Sequence, residues 1–190
     1  MNKRYFLAII PPFNIRQKIS RTMQATIERD NNLRSVTLEN LHITLIFFGA
    51  TERLKEIREI AAQVLDEIRT IEITLRELGL FPNKRRPKII WIGIEDDDVL
   101  KKINLSLYRK FSTCGFKLDN RVFSPHLSLV RIKKCDRQSK NLAREIVAKN
   151  RELCLGTFSI REIYLMESTL KENGPEYKII DTFKLKGNNV

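Results

Sequence analysis

The stretch LHITLIFFG, residues 41–49, alternates polar and apolar side chains around one histidine and closes on Gly49. Its content of Ile, Thr, Leu and Phe suits a β-strand, in which residues i and i+2 share a face. His42 and Thr44 therefore project together, while Leu41, Ile43 and Leu45 turn toward a core. The second of the chain's two histidines has the same setting: in SPHLSLVR, residues 124–131, His126 projects with Ser128, and Leu127 and Leu129 face the other way. A lone strand histidine is commonly a packing residue. A hydroxyl at i+2 and a leucine at i+3 after both histidines is a coincidence of roughly one in ten thousand at ordinary residue frequencies.

Working outward, the 84-residue spacing of the histidines recurs. RYFLAII (residues 4–10) and KIIWIGI (88–94) are also 84 apart, and TLRELGLF (74–81) and SIREIYLM (159–166) are 85 apart. Between them run helix-spaced apolar residues: Ile15, Ile19, Met23 and Ile27; then Leu54, Ile57, Ala61, Val64, Leu65 and Ile68 behind Thr51 as N-cap. The second half has Leu100, Ile103, Leu107 and Phe111 after the acidic residues 96–98, then Leu142, Ile146 and Val147. Strands are expected over 71–81 and 88–94, separated by the turn-forming residues 82–87, and again near 126–132, 158–167 and 177–186. The pattern predicts a duplicated chain of two β-α-β-α-β-β units, approximately 1–94 and 88–190, within one bilobal domain, 1–190. The fold class is α+β: two pseudo-symmetric lobes, each an antiparallel sheet with flanking helices, and both histidine strands facing a cleft between them.

Composition narrows the partners. The 190 residues are 42% hydrophobic and 31% charged, so the whole length should fold. With 35 Lys and Arg against 23 Asp and Glu, the net charge is +12. Such a field attracts polyanions, nucleic acid first, although basic surfaces also serve solubility and heat adaptation. Three cysteines without CxxC spacing form neither a disulfide framework nor a zinc finger, which suits a reducing cytosol. The first apolar run, residues 5–10, ends in two prolines and is too short for a leader, and no segment approaches the ~18 apolar residues of a membrane span. A cytoplasmic monomer without membrane contact is expected.

The chemistry is bounded by what accompanies the histidines. A hydrolytic zinc site needs about three protein ligands, so two histidines fall short unless a Cys or carboxylate joins them. Neither hydroxyl sits in a Gly-x-Ser-x-Gly elbow. What remains is a pair of imidazoles, each with an ordinary pKa near ~6.5. In-line attack at phosphorus uses two such groups, one taking a proton from the attacking oxygen and one giving a proton to the departing oxygen. Thr44 and Ser128 are placed to donate to phosphoryl oxygens.

With these residues in view, the chain resembles the two-histidine phosphoesterase superfamily, and within it the RNA 2',3'-cyclic phosphodiesterase branch, also called RNA 2'-5' ligase. The resemblance rests on an ordered set spanning nearly the whole chain: RYFLAIIPP, ENLHITLIFFG (39–49), ELGLFP (77–82), the strand with Trp91, RVFSPHLSLVR (121–131) and YLMES (164–168). It implies hydrolysis of a terminal RNA 2',3'-cyclic phosphate to a 2'-phosphate, no cofactor and no metal, with joining to a 5'-hydroxyl as the reverse. By position it implies His42 as general acid on O3' and His126 as general base on water. A near-symmetric site leaves the exchanged roles open.

Four further positions follow from the resemblance. Arg131 stands where relatives often carry a phosphate-binding Arg, the alternative being a surface Arg at a strand end. Phe47 stands where relatives carry an aromatic that stacks on a base, yet its strand parity matches Ile43 and Leu45, which puts it in the core unless the strand bends. Ser128 replaces the commoner Thr, and Ile46, on the His42 face by parity, replaces a residue frequently polar or basic. Basic clusters at Lys84, Arg85, Arg86 and Lys88, and at Arg131, Lys133, Lys134, Arg137 and Lys140, are either solvated turns or a track for an RNA backbone. The other reading of the whole chain is a nucleotide- or RNA-binding module of the same fold without turnover.

Overall fold

The computed structural model describes residues 3–27, 30–171 and 174–187. In chain order the elements are β1 (Arg4–Ile9), α1 (Phe13–Ile27), β2 (Leu33–Ser35), a 3-10 turn (Leu38–Asn40), β3 (Ile43–Gly49), α2 (Leu54–Leu65), β4 (Ile71–Phe81) and β5 (Ile89–Glu95). They continue with α3 (Asp98–Thr113), β6 (His126–Ile132), α4 (Arg137–Lys149), β7 (Cys154–Ile160), β8 (Glu162–Lys171) and β9 (Gly174–Lys184). The expected α+β class with antiparallel pairing is what the structure has.

The strands follow the order β7-β4-β5-β6-β3-β1-β8-β9, with the short β2 also pairing with β6. Two four-stranded groups, β7-β4-β5-β6 and β3-β1-β8-β9, meet at a single antiparallel register pair, Ile43 with Leu127. These two residues are themselves 84 apart, the same spacing as the two histidines. Because β3 and β6 pair only there, the groups splay to either side of the histidines and open a cleft.

The repeat and the lobes do not share boundaries. β4 leaves the first repeat to pair with β5, and β8 and β9 of the second repeat pair with β1 and with each other. The apolar stretch around 158–167 is two strands broken at Arg161, and they go to opposite groups: β7 to β4 and β8 to β1. Helices α2 and α3 pack with the β3-β1-β8-β9 group, and α1 and α4 pack with the other.

Local sequence explains most elements. β5, IIWIGIE, alternates half-buried and buried residues with period two. In α3, Leu100, Ile103, Leu107 and Phe111 form one buried stripe. Phe111 is wholly buried and contributes on the order of ~2 kcal/mol by leaving water. Asp136 caps α4 by accepting from the Ser139 backbone N–H at 2.9 Å. Thr51 is not the N-cap of α2, a place taken by Arg53, but its Oγ1 accepts from the Arg53 N–H at 3.1 Å.

Both histidine strands break their own alternation. In β3, Leu45 and Ile46 are both buried; in β6, Leu129 and Val130 are. The register shows why: Leu7 pairs with Ile46 but Ala8 with Thr44, and Ile90 pairs with Val130 but Trp91 with Ser128. Leu45 and Leu129 are thus the extra residues of two β-bulges, 84 positions apart. A bulge re-aims every side chain beyond it. It turns Ile46 into the core, correcting its expected place on the His42 face, and turns Phe47 outward to 48% exposure, correcting the parity reading. In β6 it turns Arg131 outward, and Phe47 and Arg131 are repeat equivalents.

Candidate active site

His42 and His126 line one cavity of about 280 Å³, together with Thr44, Ser128, Arg131, Arg34, Asn40 and Tyr177. Phe47 forms the wall of an adjoining cavity of about 260 Å³ that shares His42, Thr44, Arg131 and Tyr177 and adds Arg4 and Leu170. All six residues singled out from sequence thus border one continuous cleft.

Each imidazole is held by the same local device. His42 Nδ1 lies 2.8 Å from the carbonyl oxygen of Asn40, and His126 Nδ1 lies 2.8 Å from that of Ser124. A carbonyl only accepts, so Nδ1 carries a proton in both rings and Nε2 is left as the reactive nitrogen. Asn40 sits at the end of the 3-10 turn and its side-chain amide donates to the Pro175 carbonyl at 3.1 Å, tying the His42 approach to the start of β9.

Aromatic rings hold each imidazole from the sides. Phe6 and Tyr177 lie 5.0 and 4.9 Å from His42, and Phe81 and Trp91 lie 4.7 and 6.0 Å from His126, centroid to centroid. Trp91 covers Gly79 so closely that a Cβ there would stand 2.1 Å from its ring, so only glycine admits this placement. Such walls fix ring orientation and raise the cost of charging the imidazole.

The electrostatics follow. Burial pushes His42 from 6.5 down to about 4; the Asn40 carbonyl opposes this, and the positive charges of Arg131 and His126 add to it. Burial also lowers His126, against the Ser124 carbonyl. Tyr177 is raised by burial, with Arg131 opposing. Both histidines are therefore neutral at pH 7 in the free protein. Because the unfolded chain takes up a proton at His42 first, the stability that neutral His42 confers is complete above about 6.5 and is lost as pH falls toward about 4. Histidine NMR titration should place the His42 midpoint near 4 and the His126 midpoint below the ordinary 6.5. Phosphate in the cleft should raise both, since an anion favours imidazolium; midpoints that ignore phosphate would mean that the anion binds elsewhere.

Arg34 was not legible in the sequence, because a three-residue strand carries no periodicity. It is the cross-strand partner of Arg131, and both are exposed to the cleft. Neither makes an ion pair among the described residues. Like charges directly opposite each other across a sheet are unfavourable, so the pair is suited to an anion lying between them. Tyr177 was missed for a different reason, since no local pattern marks it, and Asn40 lay in the stretch ENLHITLIFFG without having a role assigned. Phe81 and Trp91 lay in stretches that carried the resemblance without having a role assigned.

Among the described residues, no three His, Cys, Asp or Glu side chains converge in a group that could hold a metal ion. Nor is any helix among them long and apolar enough to cross a membrane. The donors that line the cleft include the two imidazoles, the hydroxyls of Thr44, Ser128 and Tyr177, and the guanidiniums of Arg4, Arg34 and Arg131, a set that suits a phosphoryl group.

A strand-curled α+β fold with one His-x-hydroxyl motif in each pseudo-symmetric half defines a class, and comparison with known proteins agrees. A family profile described as the 2'-5' RNA ligase superfamily matches residues 11–172. A Methanocaldococcus jannaschii protein named RNA 2',3'-cyclic phosphodiesterase is 35% identical over 93% of this chain and 98% of its own. A Methanothermobacter thermautotrophicus protein of the same name is 29% identical over 97% and 100%. A Thermus thermophilus crystal structure superposes with a TM-score of 0.81 at 20% identity, covering 98% of this chain and 100% of that one. The chain belongs to the 2'-5' RNA ligase superfamily.

Proposed function

We propose that this chain is an RNA 2',3'-cyclic phosphodiesterase that opens a terminal cyclic phosphate to a 2'-phosphate. The observation that carries the reading is the matched pair of imidazoles, each with Nδ1 donated to a carbonyl two residues earlier and Nε2 free for proton transfer. That hydrogen bond serves both states: it fixes the Nε2 lone pair of a neutral base, and it supports Nδ1–H of an imidazolium acid. The names of the relatives supply the substrate class.

In the reaction, Arg131 and Arg34 hold the cyclic phosphate while Thr44 and Ser128 donate to its non-bridging oxygens. His126 Nε2 takes a proton from water as its oxygen attacks phosphorus. The P–O3' bond breaks on the far side, and His42 gives its proton to O3'. The lower pKa of His42 means that the anionic phosphate must raise it before it can serve as acid, and the same pair in the same roles joins strands when a 5'-hydroxyl attacks in place of water, leaving a 2'-5' diester as P–O3' breaks. Phe47 closes the base end of the cleft. The reading is for a monomer, because one chain supplies both histidines, and for the cytoplasm, because Cys114, Cys135 and Cys154 are unpaired.

The test is to strip the protein with EDTA, supply an oligonucleotide ending in a 2',3'-cyclic phosphate, and identify the product. Full turnover to a 2'-phosphate is expected. A 3'-phosphate product, or activity restored only by added metal, would refute the mechanism, and binding without turnover would favour the non-catalytic module.

A further inference from the structure

The two ends of the β5–β6 strand pair carry opposite charge. β5 and β6 run antiparallel beside each other, with Ile89 against Arg131 at one end and Gly93 against His126 at the other. Beyond Gly93 lies a cavity of about 680 Å³ lined by Glu77, Glu95, Asp96, Asp97 and Glu152 against Arg76 and Arg151; Glu95 is paired with Arg76 and Asp97 with Lys101, each at 2.6 Å, which leaves Glu77, Asp96 and Glu152 in excess over Arg151. Beyond Ile89 the surface is basic. Arg131 and Arg34 are followed by Lys133, whose backbone N–H donates to the Asn32 carbonyl at 2.8 Å, and by the turn that joins β4 to β5.

That turn is built rather than loose. Asn83 Oδ1 accepts from the backbone N–H groups of Arg85 and Arg86 at 3.0 and 3.1 Å, and Arg144 of α4 donates to the Lys84 carbonyl at 2.8 Å. The Ile132 N–H bonds the Lys88 carbonyl at 2.9 Å, which docks the turn against the end of β6. Lys84, Arg85, Arg86 and Lys133 are exposed, and none forms an ion pair among the described residues. Such a run, left without counter-charges and continuous with the catalytic cleft, is an electrostatic footprint for a polyanion.

We propose that the surface running from the Arg34–Arg131 pair through Lys133 to the Lys84–Arg86 turn binds the phosphates of the RNA strand on the 5' side of the reacting end. The inference rests on the function proposed above, because it takes the cyclic end to sit at the histidines. With that end fixed and Phe47 taking the terminal base in the adjoining cavity, the remaining strand can run in either direction along β5 and β6. The acidic cavity repels it, and the basic turn receives it. The charge gradient along β5 and β6 thus sets the polarity of the bound RNA, and the enzyme distinguishes an RNA end from a free cyclic nucleotide by phosphates it does not cleave.

The experiment compares the intact protein with an Arg85→Ser/Arg86→Ser double variant, and with Arg85→Lys/Arg86→Lys as the charge-preserving control. Binding of a labelled single-stranded RNA of about 12 nucleotides ending in a plain 3'-hydroxyl is followed by fluorescence anisotropy across a salt series, a readout that needs no turnover. Each phosphate contact on a single strand contributes ~0.7 to the log–log salt slope, so the serine variant should lose about 1.4 of slope, and the lysine variant should keep it. In parallel, the ratio of kcat/KM on the same RNA with a cyclic end to that on a nucleoside 2',3'-cyclic phosphate should fall by roughly tenfold or more. An unchanged slope and ratio would overturn the track. Equal affinity for duplex DNA or for phosphatidylserine vesicles, with the same loss, would overturn its assignment to RNA. If cyclic ends are not hydrolysed at all, the function fails, while the anisotropy series still decides whether RNA uses this surface.

Discussion

His126→Ala should lower kcat on a 2',3'-cyclic phosphate by about 10²–10⁴-fold, and His42→Ala by a similar factor, because on the proposed mechanism each removes one proton-transfer group from the same transition state. The two act as a unit. Once one is lost, the other has no partner for concerted transfer, so the double variant should be at most ~10-fold worse than either single one. Both imidazoles pack between aromatic rings, so truncation also leaves a gap, and His→Phe variants at each position keep ring packing while removing the nitrogens. Steady-state kinetics beside thermal melts separate the effects: loss of turnover with a native melt is the expected result. More than a tenth of the activity surviving in either phenylalanine variant would exclude acid-base chemistry at that residue. The kcat/KM profile should be bell-shaped with its maximum on the acid side of 6.5, since burial holds both histidines below that value.

Arg131→Ala should cut kcat/KM by roughly 10–100-fold, the scale of a lost charge-assisted, two-pronged bond to phosphate. Arg131→Lys should recover only part of it, because an ammonium cannot make two parallel bonds. Stability should move the other way. Arg131 stands opposite Arg34 across β2 and β6, so removing either charge relieves repulsion and should gain ~0.2–1 kcal/mol in urea unfolding. The midpoint of His42 should also rise, because Arg131 is one of the charges that hold it down. A variant less stable and less active, with His42 unmoved, would make Arg131 a packing residue instead.

The histidines and their neighbouring hydroxyls were legible in the chain because each is a short-range pattern, period-two alternation around His42 and His126, and the two patterns stand 84 residues apart. Those patterns were enough to place both motifs on antiparallel strands and to define the chemistry they support. Strand parity failed just past each motif, at Leu45 and Leu129, because a bulge arises from the register of a partner strand and leaves no mark in the strand's own alternation. That is why parity alone points Phe47 to the core and Ile46 to the His42 face, the reverse of what is found, while the resemblance had put Phe47 at the site.

Other features depend on contacts far apart in sequence. Arg34 gains its meaning only opposite Arg131, ninety-seven positions later by number (131 − 34), and Tyr177 reaches His42 only because β9 folds back beside β8. The exchange of β4 and β8 between the two groups is equally invisible to a repeat search, which sees which segments are alike but not which ones pair. Local periodicity told which side chains could act and what they could do. Their convergence in one cleft, the pKa of His42 and the charge gradient along β5 and β6 came from tertiary packing, because burial and electrostatic fields are sums over neighbours that the linear order does not specify.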